Sequence, residues 1–221
     1  MIERLLPPVV RVGEAFSDRP DVVLYPEEVA AVAHAVEKRR REFATVRDCA
    51  RDALRALGVG PAAIVPGPHG EPVWPRGVVG SLTHCPGYRG AVVARMADLG
   101  SVGVDAEVDQ PLPPGVYERI ALPIEREALA AFADWDVAVD RLLFCVKEAV
   151  YKTWYPITQR YLDFHEATVT LTREGTFTAV VRPGSGLAAD ENAGDWPPGF
   201  NGRWLTQHGL ITSACWVPAR R

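Results

Sequence analysis

VVGSLT (Val78–Thr83), GAVVAR (Gly90–Arg95) and SVGVDAE (Ser101–Glu107) are three strand-like runs separated by short turns. Before them, from Pro26 to Gly58, the chain is rich in Ala, Glu and Arg. Pro26 is placed to open a helix and Gly58 to stop one, with a single break near Glu37. Between helix and strands, Pro61 to Pro75 holds five prolines and reads as an extended loop. The first half is therefore helix, loop, then a small antiparallel sheet. A Pro-rich linker, Asp109 to Gly115, leads to a second half with the same order. There Ile124 to Ala133 and Asp136 to Tyr155 read as helices. Ala167 to Leu171 and Thr176 to Val181 read as a hairpin, Pro183 to Gly199 as a mobile loop, and Arg203 to Gln207 with Leu210 to Val217 as a second hairpin. Helices followed by strands, twice, predict an α+β fold of two similar halves, residues 1–108 and 109–221.

Composition narrows the function. The 221 residues carry a net charge of −4, which argues against a non-specific nucleic-acid binder. The four cysteines, Cys49, Cys85, Cys145 and Cys215, form no CxxC pair, so a structural zinc site is not expected. Scattered thiols in a chain large enough for its own core suggest a reducing compartment. The N-terminal residues lack a signal-peptide pattern, and no apolar run approaches a membrane span. The expectation is a cytoplasmic protein without membrane or nucleic-acid partners.

Four constellations could carry chemistry. In Val102-Gly103-Val104-Asp105-Ala106-Glu107, alternation points Asp105 and Glu107 to one face of a strand. Alone, that reads most simply as a polar strand end; with a cation between them, the paired carboxylates suit Mg²⁺. In Phe144-Cys145-Val146-Lys147-Glu148-Ala149-Val150-Tyr151-Lys152, helical spacing puts Phe144, Glu148 and Lys152 on one stripe. A Glu–Lys pair at this spacing is most often a surface ion pair. Here the helix is otherwise apolar, so its charges need partners. Lys38 to Arg41 with Arg47 and Arg51 is either a solvated basic face or an anion site, since arginine forks grip phosphate. Gly80-Ser81-Leu82-Thr83-His84 ends a strand in a hydroxyl-rich turn with one histidine and no nucleophile-elbow context. Together these are the inventory of a Mg²⁺-dependent enzyme acting on a phosphoanhydride.

In order and spacing the chain resembles the 4′-phosphopantetheinyl transferases, specifically the Sfp/EntD-type monomers and their actinobacterial acyl-carrier-protein-activating branch. Val102 to Glu107 matches the apolar-Gly-apolar-Asp-x-Glu strand, and Phe144 to Lys152 matches W-x-x-K-E-A-x-x-K with Phe for Trp. Gly70-Glu71-Pro72, Gly80 to His84 and Arg39 to Arg47 resemble the G-x-P, S-x-x-H and basic-helix segments. The resemblance runs from about Val22 to Phe164.

It implies two pseudo-symmetric α+β halves, each with helices on a small antiparallel sheet, and an active site in the cleft between them. It also implies transfer of the 4′-phosphopantetheine arm of coenzyme A to a serine of apo acyl or peptidyl carrier proteins, releasing adenosine 3′,5′-bisphosphate. The carriers would be those of fatty-acid, polyketide or non-ribosomal peptide synthesis, and the enzyme a monomer. Asp105, the Ala106 carbonyl, Glu107 and Glu148 would hold Mg²⁺, or Mn²⁺. Glu148 would take the serine proton, directly or through a metal-bound water, and Lys152 would reach the transferred phosphate; with Asp105 these are the catalytic residues. Arg39, Arg47 and His84 would bind the nucleotide phosphates, and the backbone around Thr83 would border the adenine. The family often places a lysine in the Pro-rich loop; here His69 or a backbone amide would take its place. Trp154, Tyr155, Pro156 and Tyr161 would line the pantetheine channel. Val116 to Phe132 is the expected carrier-docking region. The competing readings are another Mg²⁺-dependent CoA or nucleotide phosphohydrolase and a non-catalytic CoA-binding module.

Overall fold

Pro26 opens a short helix, α1 (Pro26–Ala31), whose buried Glu28 turns back to accept a hydrogen bond from the Tyr25 N–H at 3.0 Å. The chain breaks at 32–36 and resumes as α2 (Glu37–Ala56), which Gly58 ends in a left-handed conformation at φ +72°. The expected break near Glu37 is there. The structure, a computed structural model, describes residues 1–132, 134–182 and 197–219. Most of the expected loop from Pro183 to Gly199 lies outside the described residues, as does Ala133.

α2 packs Cys49, Ala50, Ala53 and Leu54 on a three-stranded antiparallel sheet. Its order is β1 (Arg11–Ala15), β3 (Tyr88–Arg95), β2 (Val78–Cys85). β1 was not expected from the sequence; it is short and half-exposed, and its strand character depends on β3. The linker leads through α3 (Val116–Ile120) and α4 (Pro123–Ala130) to α5 (Val139–Thr158). α5 packs on a five-stranded antiparallel sheet of order β4 (Leu99–Val108), β8 (Leu210–Pro218), β7 (Gly199–Gln207), β6 (Thr176–Val181), β5 (Ala167–Leu171). The two halves share one device, a glycine under the long helix. A Cβ on Gly13 would lie 2.0 Å from the Cys49 carbonyl oxygen of α2, and one on Gly103 would lie 2.2 Å from that of Ala149 in α5. Only glycine lets helix and strand approach this closely.

One grouping is corrected. Ser101–Glu107 was expected to complete the first sheet, but β4 pairs with β8, Asp105 opposite Ser213 and Glu107 opposite Ile211. Toward the first sheet, β4 instead donates to hydroxyls of β2. Val104 N–H bonds Ser81 Oγ at 3.2 Å and Ala106 N–H bonds Thr83 Oγ1 at 2.9 Å. Hydrogen bonding thus assigns the D-x-E strand to the second sheet while its polar end faces the hydroxyl turn of the first. Among the described residues no helix is long and apolar enough to cross a membrane. All four cysteines are buried and unpaired.

Candidate active site

The seam between β4 and α5 gathers the charges that the sequence singled out. Asp105 is buried at the end of an apolar strand. Its Oδ1 accepts from Lys152 Nζ at 2.7 Å and from Thr83 Oγ1 at 3.1 Å. Thr83 is therefore a relay, accepting from Ala106 N–H while donating to Asp105. Asp105 Oδ2 is buried with no hydrogen-bond partner, alone in this among side-chain atoms of the described residues. Glu107 Oε2 accepts from Arg141 Nη1 at 2.9 Å. Burial and the neighbouring Asp105 carboxylate raise the Glu107 pKa, against the opposing pull of Arg141.

On α5, Lys152 pairs across the seam with Asp105 and not with Glu148 one turn away. Partial burial works against the Lys152 charge, but Asp105 outweighs it and holds the ammonium above its ordinary pKa. Burial raises the Glu148 pKa; Lys152 opposes this, and Asp105 and Glu107 add to it. The Glu148 side chain makes no hydrogen bond among the described residues and lines a small pocket of about 90 Å³ with Tyr151, Tyr161 and Phe164. Lys147 does not join the site: it is buried and bonded to Glu125.

The basic face of α2 divides in two. Arg40 closes the α1–α2 connection through the carbonyls of Ala33 and Ala35, and Arg51 is buried against Glu28. Both are structural, and neither was among the expected phosphate-binding residues. Arg47 is different: it is buried, its Nε donates to the Ile64 carbonyl at 3.1 Å, and its guanidinium lies 3.5 Å over the Phe43 ring. No carboxylate pairs with it among the described residues, and burial brings its pKa down to about 10. It remains a cation at neutral pH, held in place and lacking an anion. Arg39 donates to His84 Nε2. Because an arginine only donates, that ring nitrogen is an acceptor. Partial burial and Arg39 lower the His84 pKa, keeping it neutral.

Tyr151 connects the aromatic residues, with its ring 5.9 Å from Tyr155 and 5.8 Å from exposed Tyr161. Tyr155 continues the row to His69 in the Pro-rich loop, centroid to centroid 5.6 Å. Trp154, expected in a channel, is instead a core residue, 1% exposed, with Nε1 bonded to the Arg160 carbonyl. One position before Tyr155 on the helix, it turns into the core between α5 and the five-stranded sheet, against which Tyr151 also packs. Sequence reasoning missed Arg141 and Tyr151. The i, i+3 relation of Arg141 to Phe144 was visible, but its partner Glu107 lies 34 residues away.

Mg²⁺ fits the donors present. All are oxygens, and the bare, buried Asp105 Oδ2 is a ligand atom without a partner. Among the described residues no three His, Cys, Asp or Glu side chains converge closely enough to hold a metal by themselves. That suits an ion that completes its shell with substrate phosphate and water.

The 4′-phosphopantetheinyl transferase N-terminal domain family matches residues 27–94, and the 4′-phosphopantetheinyl transferase superfamily matches residues 101–199. The chain is 50% identical over 226 residues to 4′-phosphopantetheinyl transferase Svp of Streptomyces mobaraensis, covering 99% of this chain and 90% of that protein. It is 47% identical over 205 residues to 4′-phosphopantetheinyl transferase PptT of Mycobacterium tuberculosis, covering 91% and 89%. With 4′-phosphopantetheinyl transferase Npt of Nocardia iowensis the identity is 46% over 224 residues, covering 97% and 98%. A match at this identity along nearly the whole length is one of family and not of fold alone, and the chain belongs to the 4′-phosphopantetheinyl transferases.

Proposed function

We propose that the β4–α5 seam is where this enzyme transfers the phosphopantetheine arm of coenzyme A to a carrier-protein serine. The observation that carries the reading is Asp105, with one oxygen tied to Lys152 and Thr83 and the other buried without a partner. A desolvated carboxylate oxygen with no donor is costly unless a ligand completes it. Asp105, the Ala106 carbonyl, Glu107 and Glu148 would hold Mg²⁺ or Mn²⁺. When bound, the ion supplies neutralisation of charge on the pyrophosphate.

The chain's own residues do the rest. Arg47, buried and without a carboxylate, and Arg39 beside neutral His84 bind the nucleotide phosphates. The backbone around Thr83 borders the adenine, and His69 stands in the loop near Tyr155. Glu148, its pKa raised, takes the serine hydroxyl proton; a base closer to neutrality is a better proton acceptor. The serine oxygen forms a bond to the β-phosphorus of coenzyme A. The anhydride P–O bond breaks, and adenosine 3′,5′-bisphosphate leaves with the bridging oxygen. Lys152, kept protonated, faces the transferred phosphoryl group. Tyr161 and Tyr151 line the path of the uncharged pantetheine arm.

The halves 1–108 and 109–221 meet along β4, which belongs to the first by sequence and to the second by hydrogen bonding. Carrier proteins of fatty-acid, polyketide or non-ribosomal peptide synthesis dock at Val116–Phe132, where Ile124 is 64% exposed. The buried free thiols support a reducing compartment such as the cytoplasm, where the enzyme works as a monomer. Incubation with coenzyme A, Mg²⁺ and a panel of apo carriers tests this. At least one carrier should gain one phosphopantetheine by intact mass, and a panel with no gain contradicts the reading.

A further inference from the structure

We infer that Arg141 is a positioning residue for Glu107, fixing which carboxylate oxygen that residue offers to the metal. The inference rests on the metal reading above. Arg141 lies in the first turn of α5, and its three side-chain nitrogens go to three different acceptors. Nη1 donates to Glu107 Oε2 at 2.9 Å, Nε to the Gln110 carbonyl at 3.1 Å, and Nη2 to the Pro111 carbonyl at 3.2 Å. Glu107 lies near the end of β4, and Gln110 and Pro111 lie in the stretch that leaves the strand.

Two more bonds tie the same stretch to the start of α5. Leu112 N–H donates to Asp140 Oδ2 at 2.8 Å, and Ala138 N–H donates to Asp109 Oδ1 at 2.8 Å. The guanidinium is thus anchored by two backbone carbonyls whether or not Glu107 is there. A cation held this way defines where Glu107 Oε2 must lie. Glu107 Oε1 has no hydrogen bond among the described residues, so it is the oxygen left for a ligand.

Asp105 is arranged in the same manner, with Lys152 and Thr83 on Oδ1 and nothing on Oδ2. Each strand acid therefore has one oxygen tied to a fixed cation and one oxygen open. The two cations also offset the repulsion of neighbouring carboxylates, so that both stay in place while the site is empty of metal. Groups that orient a ligand from behind commonly change metal affinity about 10- to 100-fold when removed.

Two other roles for Arg141 make different predictions. A staple that only secures the linker would alter stability and leave metal affinity unchanged. A cation that competes with the metal for Glu107 would weaken binding, so its removal would tighten it.

The test is a Mn²⁺ titration followed by electron paramagnetic resonance, at saturating coenzyme A. The proteins are wild type, Arg141→Met, Arg141→Lys, Glu107→Gln and the Arg141→Met/Glu107→Gln double variant. Thermal melts without metal establish that each is folded. Arg141→Met should weaken Mn²⁺ binding about 10-fold. Arg141→Lys, which keeps a charge within reach, should recover part of the loss. In the Glu107→Gln background Arg141→Met should cause no further loss, because its effect passes through that carboxylate. Unchanged or tighter binding by Arg141→Met overturns the inference, as do additive losses in the double variant. If Arg141→Met does not fold, the same cycle run with Arg141→Lys decides the question. A Glu107→Gln protein that binds Mn²⁺ like wild type removes the metal reading and this inference together. A weakened Glu107→Gln beside a normal Arg141→Met removes only the inference.

Discussion

Lys147 and Lys152 stand on the same helix, and each reaches a carboxylate at 2.7 Å. Lys147 is complete. Its ammonium donates to Glu125 and to the carbonyls of Ile120 and Phe164, which uses all three of its protons. Glu125 is complete as well, accepting from the N–H groups of Leu122 and Val169. Both side chains are 1% exposed. Lys152 makes one hydrogen bond, is 28% exposed, and its partner Asp105 keeps one buried oxygen bare. The difference separates structure from function. A saturated ion pair ties α3, α4, β5 and α5 together and has no room for anything else. An unsaturated pair of the same length leaves valence for a ligand.

Removing the lysines should break the comparison in opposite ways. Lys147→Met strands a fully buried glutamate and should cost about 3–5 kcal/mol in a denaturant melt. A loss under about 1 kcal/mol would mean that the pair contributes little. Lys152→Met should cost less stability, because water reaches that pair, yet reduce turnover on the order of 100-fold in a carrier-modification assay. Equal stability losses for the two variants would remove the distinction.

Glu148→Gln sharpens it further. Turnover should again fall on the order of 100-fold, as for loss of a general base. Stability of the metal-free protein should rise. The folded-state pKa of Glu148 is raised, so the folded chain favours the proton; that favourable contribution is present at low pH and is lost as pH rises through the raised value. At neutral pH the ionised form is therefore held at a cost, which glutamine removes. The advantage of Glu148→Gln in melting temperature should shrink as the pH falls below that value.

Arg47→Ala should weaken coenzyme A binding by about 1.5–3 kcal/mol, measured by calorimetry. The loss should be smaller for an analogue lacking the 3′-phosphate or the pyrophosphate. Equal losses for both ligands would make Arg47 a support for α2 alone. Smallest is Thr83→Val, which deprives Ala106 N–H and Asp105 Oδ1 of a hydroxyl and should cost about 1 kcal/mol of stability. Thr83→Ser should recover most of it.

Local pattern made much of this readable in the sequence. The helix break before Glu37, both hairpins of the second half and the alternation of Asp105 and Glu107 depend on neighbours a few residues away, and all appear in the structure. What was not readable depends on distant pairing. β1 becomes a strand because β3 lies beside it, and β4 leaves the first sheet because β8, about a hundred residues later, offers it a ladder. The same holds for charges. Helical spacing brings Glu148 and Lys152 to one face, but Asp105, 47 residues earlier, is the partner that Lys152 takes. The family resemblance implies a channel role for Trp154, and the core claims it instead.

Asp105→Asn tests the central claim most directly, because it keeps the shape of the side chain and removes its charge. The measurement is the single-turnover rate of phosphopantetheine transfer from coenzyme A to an apo carrier, on protein shown to be folded by its melting curve. If the bare Asp105 oxygen is the centre of the site, the rate should fall on the order of 100-fold or more while the fold persists. A folded Asp105→Asn protein that transfers at near the wild-type rate would contradict the account.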